Sequence, residues 1–233
     1  MPKIRLIILV LLLFLFNRPV EAHPDKYNHL IDSGLVLEVY SLDKDIQRWS
    51  QEHRNSNSDR LAKQVRGFGE IKYTSSALGI MYFTAKNNGN DKMRRTAVMG
   101  FESMLAASAI TGTIKLLAHR SRPSESSSPD DWDGPSISMD HVSFPSQHAS
   151  NAFAVATVIA SEYHDKPGVS QIMYGLATLT ALSRVNDNEH WASDVAVGSL
   201  VGYYTAKHVV NSKRKTDSSH GASILIMPVV KKF

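Results

Sequence analysis

The sequence predicts an all-α fold, a single-domain helical bundle of about six or seven helices. Three observations predict it. Apolar residues recur at helical spacing in successive segments, most of them closed by a short polar turn. The 233 residues, 42% of them hydrophobic, are enough for one domain with a substantial core. Only Ser223 to Val230, rich in β-branched residues, reads as a short strand.

Residues 1–22 read as a secretory signal peptide. Lys3 and Arg5 form its positive end, Ile4 to Phe16 is apolar apart from Arg5, and Val20-Glu21-Ala22 offers a cleavage site. The apolar run is too short to span a bilayer comfortably. Cleavage after Ala22 removes Lys3, Arg5, Arg18 and Glu21 and leaves the chain close to neutral, which excludes a nucleic-acid partner. The mean hydropathy of -0.20 argues against several membrane spans. With no cysteine, disulfide scaffolds, thiolate catalysis and cysteine-bound zinc are excluded too. Export without disulfides fits a bacterial periplasm.

A helical domain is expected over residues 23–212, with residues 213–233 as a C-terminal tail. His23 to Ser33 is polar and reads as a loosely held start. Gly34 to His53 carries Leu35, Val39, Leu42, Ile46 and Trp49 at helical spacing. Asn55-Ser56-Asn57-Ser58 is a turn whose residues can cap a helix running to about Phe68. Ile71 to Ala85 reads as a core helix, closed by Asn87-Asn88-Gly89-Asn90. Asp91 to Arg120 is a long helix ended by Pro123, and its polar residues favour burial in a soluble bundle over a membrane span. Ser124 to Ser143 has no period and reads as a loop covering a site. Helices follow over Ala149–Tyr163, Val169–Leu182 and Trp191–Val210, then a polar linker over Asn211–Gly221.

Three stretches carry chemistry. Lys115 and Arg122 lie about two turns apart, where both can reach one anion; they also suit an ordinary basic helix C-terminus. Phe144-Pro145-Ser146-Gln147-His148 precedes a helix, so the Ser146 hydroxyl and backbone N–H groups can face an oxyanion. There His148 can protonate a leaving group, while Ser146 also suits a simple N-cap. In Ser183 to Asp194, His190 and Asp194 are four apart, close enough for the carboxylate to fix the tautomer of the imidazole. Arg184 is a planar fork suited to a phosphate-like oxyanion. A cation, an oriented imidazole and its carboxylate suggest phosphoryl transfer to nitrogen.

In this order the three stretches resemble the type 2 phosphatidic acid phosphatase superfamily. They read Lys115-(six residues)-Arg122-Pro123, Pro145-Ser146-x-His148, and Ser183-Arg184-(five residues)-His190-(three residues)-Asp194. That superfamily shares its fold and site with bacterial class A acid phosphatases and vanadium haloperoxidases. The resemblance spans Ile114 to Asp194. It implies that His190 is the nucleophile, Asp194 its orienting carboxylate, and His148 the general acid and then base. It also implies that Lys115, Arg122, Arg184, the Ser146 hydroxyl and the backbone N–H of Gln147 bind the phosphate oxygens. No cofactor or metal is implied. Glutamine at position 147, where the family most often has glycine, raises the question of a positive φ. His119 has no matching role and reads as structural.

The expectation is an exported, metal-independent phosphatase acting on a lipid phosphate or a small soluble ester, with peripheral membrane contact open. The apparent lack of a span after the signal tilts the reading to a broad or soluble substrate. Two alternatives stay open: a vanadium-dependent haloperoxidase, and a non-catalytic envelope protein that binds anionic headgroups. A Ser146–His148–Asp194 hydrolase lacks the G-x-S-x-G elbow and leaves the three cations without a role.

Overall fold

The computed structural model describes residues 28–138 and 140–224. The expected signal peptide and the last nine residues lie outside that range, as does most of the expected strand from Ser223. The described residues form eight α-helices and one 3-10 turn. In chain order these are α1 (Asn28–Ser41), α2 (Asp43–His53), α3 (Ser56–Val65), the 3-10 turn Arg66–Gly69, α4 (Ile71–Asn87) and α5 (Asp91–Ala118). After a long connection come α6 (Gln147–Glu162), α7 (Val169–Asn186) and α8 (Ala192–Ile224). The single helix expected over Gly34 to His53 is two, because the chain breaks at Leu42 and turns Asp43 into the interior.

Local signals set most of the ends. Asn55 caps α3 by accepting from Asn57 and Ser58 N–H, and the Ser58 hydroxyl returns a bond to Asn55 N–H, a capping box. Asn90 caps α5 through Met93 N–H. His119, at φ 43°, closes α5 in the left-handed conformation, and its ring Nε2 donates to Ser138 O at 2.9 Å.

Helix α6 is the axis of the bundle, with α5, α7 and α8 packed around it. Its sequence explains this: Ala149, Ala152, Ala154, Ala156 and Ala160 let neighbours approach closely, while Phe153, Val155 and Val158 fill the space between. Glycines bring α8 in further. A Cβ at Gly198 would overlap Ser146 O, and one at Gly202 would overlap Ser150 O. Two glycines four residues apart thus let α8 lie directly on the first turns of α6.

Three expectations are corrected. First, Asn211–Gly221 is not a linker but a continuation of α8. The stretch has no proline, and it is tied down by Lys213 to Glu102 at 3.1 Å and by Arg214 to Ser161 O at 2.9 Å. Second, α4 is not a core helix. It buries Thr74, Leu78 and Ala85 but leaves Ile80 69% and Phe83 63% exposed. Third, α5 buries one face only. Small residues (Ala97, Gly100, Ser103, Ala107) face inward, while Val98, Phe101, Leu105 and Leu116 face out at helical spacing. By length and composition α5 is also the one described helix able to cross a membrane.

Candidate active site

Four helix ends meet at one end of the bundle. The C-terminal turns of α5 and α7 bring Lys115 and Arg184, and the N-terminal turns of α6 and α8 bring His148 and Asp194. His190 sits in the bend just before α8, and Arg122 in the connection after α5. The main chain locks two of these ends together: Ser146 N–H donates to Asp194 O at 2.9 Å.

Around His190 the polar groups are buried and closely matched. His190 Nδ1 lies 3.6 Å from Asp194 Oδ2, an ion-pair distance longer than a hydrogen bond. The Ser143 hydroxyl donates to the same carboxylate oxygen at 2.5 Å and lies 3.4 Å from His190 Nδ1. Trp191 N–H also donates to Asp194 Oδ2, at 2.9 Å. The other oxygen, Oδ1, accepts from Arg120 Nη1 at 2.6 Å.

Arg120 and Asp43 are the residues that sequence reasoning missed. Arg120 is fully buried: Nη2 donates to Asp43 Oδ2 at 2.7 Å, Nη1 also donates to the Ser193 hydroxyl at 2.8 Å, and Nε donates to Pro129 O at 2.9 Å. Asp43 in turn accepts Ser193 N–H at 2.8 Å and the Ser193 hydroxyl at 2.5 Å. Trp132 and Trp191 flank the guanidinium, 4.8 and 5.4 Å from its carbon. Arg120 could have been suspected from its place beside the first motif. Nothing marked Asp43, 151 positions before Asp194.

Arg122 lies close enough to both Lys115 and Arg184 for its charge to act on them. Lys115 Nζ donates to the carbonyls of Val142 and Ser143, so the long connection frames the site with its last residues. The rest of that connection folds back on the end of α5 through Ser121 to Asp131, Asp133 to His119 and Ser136 to Leu116 backbone bonds. Arg184 Nη1 donates to Asp187 at 3.0 Å, and Arg122 Nη1 donates to Glu189. Two buried groups, Arg184 Nε and the Ser146 hydroxyl, have no partner. The N–H of Gln147, the first residue of α6, is one of the four that no intrahelical carbonyl can satisfy. The Ser146 hydroxyl, the start of α6 and the side chains of Lys115, Arg122 and Arg184 all belong to the segments that meet at this end of the bundle.

Gln147 answers the question of a positive φ. It is helical, and its side chain donates to Ser108 and Asn151, both at 3.0 Å, away from any strained backbone. His148 lines a cleft with Arg66, Gly69, Lys72, Gln147 and Arg184.

Electrostatics follow from this crowding. Burial pushes His148 down to about 3, and Arg184, His190, Arg66 and Lys115 push the same way. Burial takes His190 down to about 4, opposed by the Asp194 carboxylate beside it. Burial likewise lowers Lys115 to about 8, opposed by Asp194 and assisted by Arg122. Burial pushes the Asp194 carboxyl up, but the bonds and charges of His190, Arg120 and Ser143 outweigh it and hold it below the usual range. Burial is thus the leading cause of the lowered values of His148, His190 and Lys115, and the neighbouring cations add to it. Among the described residues, no three His, Asp or Glu side chains cluster as a metal site.

Residues 97–217 match the family model described as the PAP2 superfamily. A 61-residue segment is 46% identical to lipid A 1-phosphatase of Porphyromonas gingivalis, covering 26% of this chain and 14% of that protein. The crystal structure of LpxE from Aquifex aeolicus superposes with a TM-score of 0.55 at 18% identity, over 72% of this chain and 93% of that one. A transmembrane PAP2-type phosphatidylglycerolphosphate phosphatase from Bacillus subtilis superposes with a TM-score of 0.59 at 18% identity, over 81% and 97%. At that identity the two structures speak for the fold. The family match runs from Ala97 in α5 through both site histidines to Asp217 in α8, just over half of the chain, and on it the chain belongs to the PAP2 superfamily.

Proposed function

We infer that the chain is a phosphoric ester hydrolase working through a phosphohistidine on His190, with no metal in the reaction. The observation that supports this is a buried imidazole, His190, 3.6 Å from the buried Asp194 carboxylate; in this reading Lys115, Arg122, Arg184 and the unpartnered Ser146 hydroxyl make the anion seat. His190 Nε2 attacks phosphorus, and the bond to the leaving oxygen breaks as His148 gives that oxygen a proton. His148 then takes a proton from water, whose oxygen displaces His190 and yields inorganic phosphate. The cations and donors meet the charge on the non-bridging oxygens throughout. His148 has to carry a proton for the first step. Two negative charges from the phosphate offset the neighbouring cations and supply the reason it does.

A lipid phosphate, met at the membrane surface by an exported protein, is the substrate class best supported. The cleft lined by His148 is also lined by Ile71, 45% exposed, and α4 and α5 carry further exposed apolar side chains, Tyr73, Ile80 and Phe83 on one and Phe101 and Leu105 on the other. Such exposed apolar side chains suit contact with the acyl region of a lipid. The related lipid A 1-phosphatase supports the same class.

The test is phosphate release from a chromogenic monoester and from phosphatidic acid in vesicles, by protein lacking residues 1–22. It is run with chelator, with vanadate, and beside His190→Ala. Chelator-resistant turnover, blocked by vanadate and abolished by the substitution, is the expected result. No release from either substrate would overturn the reading and turn attention to halide oxidation with vanadate, then to plain headgroup binding.

A further inference from the structure

The carboxylate just before the proposed nucleophile lies between two of the proposed phosphate-binding arginines. Glu189 Oε2 accepts from Arg122 Nη1 and lies 3.7 Å from Arg184 Nη2, so one carboxylate oxygen spans two of the three cations. The backbone delivers it there. Asn188 takes a positive φ of 60°, its side chain is held by Gln47 Nε2 at 2.8 Å, and Glu189 N–H closes back onto Arg184 O at 3.1 Å. The turn is anchored on both sides, yet the Glu189 side chain itself is 37% exposed, so it can rotate into water without unpacking anything.

We propose that Glu189 is an internal anion that holds the arginine pair in the empty site and is displaced by the incoming phosphate, so that it tunes phosphate affinity. This rests on the phosphatase reading above. The chemistry is direct. A carboxylate and a phosphate cannot share the same guanidinium faces without like-charge repulsion. Arg184 has little spare capacity, since Nη1 is committed to Asp187 and only Nε is unpartnered. Arg122 is flanked by Glu125 as well, so the seat stays anchored when Glu189 swings out. The consequence is faster loss of product phosphate at the cost of weaker ground-state binding of every phosphate ligand.

The test uses Glu189→Gln, which keeps size and hydrogen bonding but removes the charge, with Glu189→Ala as a second variant. Inorganic phosphate and vanadate binding are read from the ligand-induced rise in melting temperature, and from competitive inhibition of ester hydrolysis. Both variants are expected to bind both anions about tenfold or more tightly and to lower KM similarly, with the ligand-free melting temperature little changed. Unchanged or weaker anion binding in both variants overturns the proposal and makes Glu189 a residue that only orients the arginines. The melting read-out needs no turnover, so wild-type protein that binds phosphate but hydrolyses nothing would sink the catalytic reading and leave this one standing.

Discussion

Arg120 Nη1 lies 2.6 Å from Asp194 Oδ1, and neither side chain has any exposure to solvent. The orienting carboxylate of the proposed nucleophile is thereby fixed from behind by a cation that never touches substrate. Arg120 also holds Asp43 of α2, so one guanidinium ties the second helix to the start of the last. Replacing Arg120 with Met leaves two buried carboxylates without their cation. The expected loss is about 3–5 kcal/mol in denaturant unfolding. Adding Asp43→Asn should recover part of it, and a double variant no better than the single would disprove the coupling.

Asp194→Asn tests the carboxylate behind His190. The amide keeps the shape but presents a donor where Trp191 N–H and the Ser143 hydroxyl now donate. Turnover should fall by about 10³-fold or more, with phosphate affinity changed far less, as measured by kcat against inhibition by phosphate.

Acid should destabilise the free protein through its two site histidines. The usual histidine value is 6.5, and the folded values of His148 and His190 are about 3 and about 4. Between about pH 6.5 and 4 the unfolded chain therefore binds protons that the folded chain does not. Stability rises with pH across that window and is lost as pH falls. Melting temperatures from pH 4 to 7 should show this slope. In a His148→Gln, His190→Gln double variant the slope should flatten, and an equally steep slope there would assign it to other groups.

The glycines under the site are set by contact, not by turn geometry. Gly202→Ala would push a methyl group into Ser150 O, and Gly198→Ala into Ser146 O. Each should cost about 1–3 kcal/mol by overpacking. Only Gly198→Ala should also reduce kcat markedly, because it displaces the residue that begins α6 at the oxyanion seat. Equal kinetic effects of the two would count against that distinction.

The outer face of α4 should act on lipid only. Ile80→Lys with Phe83→Lys changes two exposed side chains and should leave stability within about 0.5 kcal/mol. Sedimentation with phosphatidic acid vesicles and release of phosphate from them should both drop, while hydrolysis of a soluble ester is kept. Undiminished vesicle binding would show that this face is not the contact.

The helical class, most of the helix ends and the residues proposed to meet the phosphate were all legible in the chain itself. Capping, apolar period and motif spacing are local properties, and Lys115, Ser146, His148, Arg184, His190 and Asp194 lie in three short segments that each carry their own signal. Tertiary structure alone decided three other matters. It placed Asp43 and Arg120 behind Asp194, a meeting of residues from separate elements that no spacing encodes. It turned Ile80 and Phe83 of α4 and Phe101 and Leu105 of α5 outward, because the opposite faces pack on neighbouring helices, with Gly100 of α5 against Leu78 of α4. It also carried α8 through residues read as a linker, because Lys213 and Arg214 found partners on α5 and α6. Periodicity reports that a helix has faces; only packing says which neighbour each face meets.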